Sequence, residues 1–264
     1  RDNTWFKWYQ TGHKQEEGNF KAGKLDGSLI RWYENGNKSQ EGIYSSGKQE
    51  GEWVWYYQSG IKKEKTVFKD GQQEGLWIQW FKDGTKKSER KFSDGERDSI
   101  WTSWYKNGNK KLQASYDGGK LNGPWTSWYD NGIIKEKSGS YIDNKLDKKW
   151  TFWADNGQKT EETSYDNGKK DGPHKIWNSD NFKVIDGSYK QGEKDGEWHF
   201  LYDDGTKKRK EQYSSGRKDG NWIWYRPDGI KDREGYYKDD VKHGIWTTWN
   251  NADHKKMEET FANG

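Results

Sequence analysis

The sequence predicts an all-β chain: an extended single-layer antiparallel β-meander of about eleven β-hairpin repeats of 24 residues, an open solenoid or rod. Three observations predict it. Segments starting near 3, 27, 51, 75, 99, 123, 148, 172, 196, 220 and 244 align with one another, 24 residues apart except for a single step of 25 at Ile133–Ile134. All 19 tryptophans fall at only three positions of that repeat. The 32 glycines and only 3 prolines suit many tight turns joining paired strands. The array is read as one continuous domain over residues 1–264.

Composition alone points the other way. Hydrophobic residues make up 28% and charged residues 34%, and the mean hydropathy of −1.50 borders on that of a disordered chain. The aromatic content, 17%, excludes that reading, because large rings are the side chains best able to bury area. Disordered low-complexity sequence has no such ordered aromatic ladder.

Each element follows from the repeat, with positions counted from zero at its first residue. Position 2 is Trp in nine of eleven repeats, the exceptions being Leu29 and His174, and position 5 is Trp in eight. Position 3 is often β-branched, as at Ile30, Val54, Ile78, Thr102 and Thr126, which suits a pleated surface. These residues form the first strand. Asn35-Gly36, Asp83-Gly84 and Asn107-Gly108 exemplify the turn that follows, because such pairs accept positive φ. Its glycine recurs in nine repeats, replaced by Asn181 and Asp253. A second strand runs from Lys at position 11, present in every repeat, to a ring at position 17, from Phe20 and Tyr44 through Phe261. A second turn then spans segments such as Ser46–Gly51. The acidic residue before most repeats, as at Asp26, Glu50, Glu74, Asp98, Asp147, Asp171, Asp195 and Asp219, and already Asp2, reads as a turn cap. The position-11 lysines read as cross-strand partners.

Strand alternation places positions 2, 4 and 6 on one face and positions 3 and 5 on the other. The two tryptophans of a repeat therefore face opposite ways, and some rings are left partly wet. About 22 strands at roughly 4.8 Å would span on the order of 105 Å, in a rod or gently coiled ribbon. A lone hairpin buries too little to stand alone, so stability should be a chain of neighbour terms. Neither end reads as a polar cap, so the chain is expected to be a segment of a longer array or to abut another subunit.

The string Gly-x-Trp-x-x-Trp-Tyr-x-x-Gly-x-Lys, then Glu, then Tyr-x-x-Gly-Lys-x-Asp-Gly, resembles the MORN repeat variant common in bacterial proteins, over nearly the whole chain. The resemblance implies stacked hairpins in one extended sheet and scaffolding, membrane-proximal or protein-binding roles without catalysis, antitoxins among them. It also favours a bacterial cell-surface or periplasmic setting. The sequence departs from the pattern at the 172 repeat, with His174, Asn178 and Asn181, at Lys148, and at position 6 in Ala154, Asn178, Arg226 and Asn250. The better ladder is therefore Trp5 to Tyr129.

Chemistry-bearing motifs are few. The five histidines read as turn or surface residues, and with no cysteine there is no zinc-type set, so no metal or cofactor is expected. No Gly-x-Ser-x-Gly elbow is present, and the Gly-Lys pairs recur as turns rather than as a phosphate loop. The chain is thus expected not to be an enzyme. A net charge of +4 from 47 basic and 43 acidic residues gives no bias toward nucleic acid. No stretch is apolar enough for a transmembrane helix. The expected function is a structural scaffold that binds protein partners or itself through sheet edges and an aromatic ladder. The candidate binding residues are Trp8, Trp32, Tyr56, Trp80, Trp104 and Trp128, all at position 5. The alternatives are a glycan- or cell-wall-binding module, since such rings stack on sugars, and a membrane-surface or antitoxin-type binding protein.

Overall fold

The computed structural model describes residues 3–250 and 254–262. Asp2 and Asp253 lie outside the described residues. The chain divides into two compact units, Arg1–Ile133 and Ile134–Gly264, and the boundary falls on the one lengthened repeat.

The first unit contains β1 (Asn3–Trp8), β2 (Lys14–Lys21), β3 (Lys24–Trp32), β4 (Lys38–Ser45), β5 (Lys48–Tyr56) and β6 (Lys62–Lys69). It continues with β7 (Gln72–Trp80), β8 (Lys86–Ser93), β9 (Glu96–Trp104), β10 (Lys110–Asp117) and β11 (Lys120–Trp128). Each pairs antiparallel with the next in chain order. The second unit repeats the plan with β12 (Lys135–Ile142), β13 (Lys145–Trp153), β14 (Lys159–Asp166), β15 (Lys169–Trp177), β16 (Lys183–Lys190) and β17 (Glu193–Leu201). Then come β18 (Lys207–Ser214), the two-residue β19 (Arg217–Lys218), β20 (Gly220–Tyr225), β21 (Lys231–Lys238), β22 (Val241–Trp249) and β23 (Lys255–Phe261). No helix occurs among the described residues.

One strand is longer than the repeat pattern predicts. The turn expected over Ser46–Gly51 is only Ser46-Gly47, with φ of 51° and 87°. Two consecutive positive φ values match the right-handed twist of the flanking strands. Lys48, Gln49 and Glu50 are therefore already paired, with Ser45, Tyr44 and Ile43. The Glu50-Gly51 step is not a turn but a bulge. Pairing jumps from Ile43↔Glu50 to Glu41↔Val54, so Gly42 alone faces Gly51, Glu52 and Trp53. Gly51 accommodates this with φ of 66°.

The bulge is where the core forms. Trp53, fully buried, folds back over Gly42 of the preceding repeat, and a Cβ on Gly42 would lie 2.2 Å from the indole. The indole Nε1 donates to the Ile43 carbonyl at 3.1 Å. The Tyr44 ring meets it edge-on at 5.1 Å, and Trp55, two residues on, shares its face. The same unit recurs with Trp150 over Gly139, Trp198 over Gly187 and Trp246 over Gly235, each donating to the carbonyl ten residues back. His174 replaces the tryptophan in one repeat. The expectation of a surface histidine fails there: His174 is buried, with Nδ1 2.7 Å from the Thr163 hydroxyl and its ring edge-on to Tyr189. Burial holds its pKa down, helped by nearby Lys170.

The acidic residues act as the caps the sequence implies. Carboxylates of Asp26, Glu50, Glu74, Asp171 and Asp195 accept from the backbone N–H of Ser46, Asp70, Asp94, Gln191 and Ser215 at 2.9–3.1 Å. Each donor holds positive φ. One repeat's acid thus pins the next repeat's turn.

Two substitutions test this packing by hydrogen exchange, which reports local opening in an array that need not unfold in one step. Lys148 occupies the bulge position with φ of 59°. Lys148→Gly should raise local stability by roughly 1 kcal/mol, by removing an unfavourable left-handed side chain. Gly42→Ala should lower protection around Trp53 by roughly 1–3 kcal/mol, because a Cβ there would lie 2.2 Å from the indole and force it out of its packed position.

Candidate binding surface

The six position-5 residues lie on the face opposite the buried tryptophans, at the end of the first strand of each hairpin. Trp8 is 54% exposed. Trp32, Tyr56, Trp80, Trp104 and Trp128 are half-buried. The position-11 lysines are cross-strand partners of these rings, as in Trp32↔Lys38 and Trp80↔Lys86, and several also reach the ring of the next repeat. Lys14 lies over Trp32 at 5.2 Å, Lys86 over Trp104 at 5.3 Å and Lys110 over Trp128 at 5.8 Å, each lysine coming from the preceding repeat. Position-11 lysines also pair within their own strand: Lys14 with Glu17 at 2.8 Å, Lys38 with Glu41 at 2.6 Å and Lys86 with Glu89 at 2.7 Å. Residues three apart on a regular strand face opposite ways. Here the register shifts at the start of the second strand, as between Arg31 and Trp32, and brings them together. An exposed ion pair contributes little by itself. Combined with a ring it fixes a ring–ammonium–carboxylate set, repeated along the face.

Tyr56 carries a hydroxyl where other repeats have an indole, and it donates to Glu41. Burial and the Glu41 carboxylate push the Tyr56 pKa up to about 12. Burial acts to raise the Glu41 pKa, but bonds from Lys38 and Tyr56 outweigh it and hold Glu41 below the ordinary carboxylate value.

Beside the rings this face carries exposed aliphatic side chains among paired charges such as Lys65 and Glu52. Ile43, Leu76 and Ile100 are 50%, 43% and 54% exposed. Ile30, Ile43 and Val54 line a shallow hollow of about 260 Å³ over the bulge, with Ser28, Glu41 and Glu52 at its rim. An equivalent hollow in the second unit is lined by Asn221, Ile223, Glu234, Tyr236 and Ile245. Both are open depressions. No group of three or more potential metal ligands occurs among the described residues.

The MORN repeat variant family model matches residues 1–22, 49–70, 97–117, 121–143, 146–167 and 218–239, together half of the chain. The chain belongs to the MORN repeat variant family. No curated protein matches it. Among solved structures it is similar to a chain in the crystal structure of TcdB2-TccC3, at 12% identity and a TM-score of 0.21, over 95% of this chain and 16% of that one. It therefore spans about a sixth of that chain's length, and the likeness carries no argument.

Successive MORN repeats are also tied at the turn that follows position 6. Hydroxyls of Tyr9, Tyr33, Tyr57, Tyr105 and Tyr202 donate to the backbone carbonyls of Trp32, Tyr56, Trp80, Trp128 and Tyr225 at 2.7–2.9 Å. Arg226, read from the sequence as a failure of this position, reaches the matching carbonyl of Trp249 at 2.9 Å and that of Asn250 at 2.8 Å. Arginine thus substitutes for tyrosine as a long donor. The contact that sequence reasoning missed is the strand glycine at position 15. Gly42, Gly139, Gly187 and Gly235 each precede a tryptophan by eleven residues, and a glycine inside a strand marks a close approach.

The Tyr56–Glu41 pair gives a pH signature. Because the folded pKa of Tyr56 is raised above 10, its stabilising effect is complete below pH 10 and is lost as pH rises toward 12. An alkaline denaturation series should show that loss in the wild type. Tyr56→Phe should flatten it over this window, and unchanged curves would contradict the pairing.

Proposed function

We propose that this MORN array is a non-enzymatic scaffold that binds protein partners, further copies of itself included, along the face carrying the position-5 rings and the exposed aliphatic side chains. The observation that carries the reading is Ile43, Leu76 and Ile100 standing exposed on a sheet face beside partly open rings. Exposed apolar residues grouped on one face mark interaction sites. The hollows over the bulges add shape to that face without gathering the convergent titratable groups that catalysis requires.

Protein is favoured over glycan by the lysines. Stacking on a sugar needs an open ring face, and Lys14, Lys86 and Lys110 already lie over Trp32, Trp104 and Trp128. A protein surface can instead meet ring edges, aliphatic side chains and paired charges together.

Size-exclusion chromatography with light scattering, combined with chemical crosslinking in the native source, tests the proposal. The wild type should self-associate or crosslink to a defined protein through this face. Ile43→Lys combined with Ile100→Lys should abolish the association while leaving the circular dichroism unchanged, since both side chains are exposed. A strict monomer without crosslinks, or a double variant that associates normally, would sink it.

A further inference from the structure

The array breaks its own packing rule in one stretch of the first unit. Where a glycine lies under the next tryptophan, the indole is buried and donates to a carbonyl ten residues back. At Trp77 and Trp101 the residues beneath are Thr66 and Arg90. Both indole N–H groups are then buried without an acceptor among the described residues, as are the Thr66 hydroxyl and Arg90 Nε. Trp222 shows that a large side chain underneath does not by itself break the bond, for it keeps its carbonyl at 3.1 Å above Glu211. Trp77 lacks the bond above Thr66 and Trp101 above Arg90, and the Arg90 guanidinium lies against both rings.

Arg90 is intercalated. Its guanidinium lies 4.5 Å from the Trp77 ring and 4.6 Å from the Trp101 ring. A second guanidinium, Arg97, lies 5.6 Å from Trp101 and 5.5 Å from Tyr116. Both lie over one ring, so the two groups are no farther apart than about 10 Å, the sum of their distances to it. No carboxylate is within ion-pair distance of either among the described residues. This contrasts with Arg209, which is paired to Glu211 at 2.8 Å. Burial and the charge of Arg97 lower the pKa of Arg90. Arg97 is exposed and shares a hollow with Asp94, Glu96, Asp98 and Asp117, which Arg90 does not line. Arg90 is therefore the primary cation and Arg97 an exposed second arm.

A guanidinium presents five donors in a plane and matches phosphate or carboxylate in bidentate fashion. Arg90, whose buried Nε has no acceptor among the described residues, lies between two indoles with Arg97 beside it over Trp101 and Tyr116, and together they form a half-built recognition site. Sequences violate local packing rules mainly where function requires it. We infer that Arg90 and Arg97 form a binding site for an oxyanion carried on a flat apolar group, an aryl phosphate or aryl carboxylate. The anion meets the guanidinium groups and the apolar body lies against Trp77, Trp101 and Tyr116. This site is on the face opposite the position-5 ladder, so it stands or falls independently of the scaffold reading.

The test uses the full chain, isothermal titration calorimetry and the indole N–H signals of Trp77 and Trp101, assigned with Trp77→Phe and Trp101→Phe. The probes are phenyl phosphate, inorganic phosphate and benzoate. Phenyl phosphate or benzoate should bind saturably and move both signals, whichever binds tighter identifying the anion, with inorganic phosphate weaker than phenyl phosphate. Arg90→Gly restores the glycine of the regular repeats. It should weaken binding at least tenfold while the Trp101 N–H signal takes on a hydrogen-bonded shift and slower exchange. Arg90→Gln keeps bulk between the indoles and should weaken binding likewise, so the result does not depend on how the glycine variant folds. Arg97→Gln should cost several-fold. The inference is overturned if none of the three anions moves the signals saturably, or if both Arg90 variants bind as the wild type does.

Discussion

The closing of each bulge by a tryptophan from the following repeat is the contact on which the structure depends. A single-layer sheet has no second layer to bury its rings against. Here the burial is obtained within the layer, by letting one strand carry extra residues so that its indole folds back over a glycine. That one move buries a large ring, satisfies its N–H on a backbone carbonyl and leaves the ring edge for the preceding Tyr44-type residue. The glycine lets the indole lie directly on the backbone, where a Cβ would come within 2.2 Å of it, and without the bulge the indole would point along an ordinary strand face.

Because the glycine and the tryptophan belong to different repeats, folding is cooperative between neighbours and weak within a repeat. The acid-to-turn bonds and the tyrosine hydroxyl bonds run in the same direction, from one hairpin to the next. Local irregularity should therefore remain local. The His174 repeat illustrates this: a smaller ring takes the indole's place, Thr163 supplies a hydroxyl where Gly42, Gly139, Gly187 and Gly235 stand in other repeats, and Tyr189 and Trp198 keep their edge-on contact at 5.0 Å.

The periodicity of tryptophan, glycine and lysine made the hairpins, their antiparallel order and the two faces legible before any coordinates. Its limits have physical causes. The Asp-Gly step before each repeat was read as part of a turn, because turn and bulge both call for a glycine at positive φ; only the pairing register separates them. The lysines at position 11 do pair across strands, as Lys38 with Trp32, but regular alternation hides the register shift that also brings Lys38 onto the face of Glu41. Arg226 looked like a lost aromatic, although what the position uses is a donor at the end of a long side chain. The position-5 ladder was visible as a pattern, whereas its lysine cover was not, since it depends on contacts between repeats.

Cations settle on both faces but to different ends. On the ladder face the lysines are shared between a ring and a carboxylate, as with Lys14 between Trp32 and Glu17, so their charge is already answered. On the buried-tryptophan face of the second unit, Lys194 likewise lies over Trp198 at 4.4 Å with Glu211 3.8 Å away. Arg90 has the rings without the carboxylate. A stacked guanidinium gains from the indoles, but its N–H donors still require acceptors. The repeats with Gly42, Gly139, Gly187 and Gly235 show the regular solution, and Glu211 shows that a charged side chain can stand there with a cation beside it. Arg90 places a cation there without a carboxylate at ion-pair distance among the described residues, which is the arrangement the inferred anion would complete.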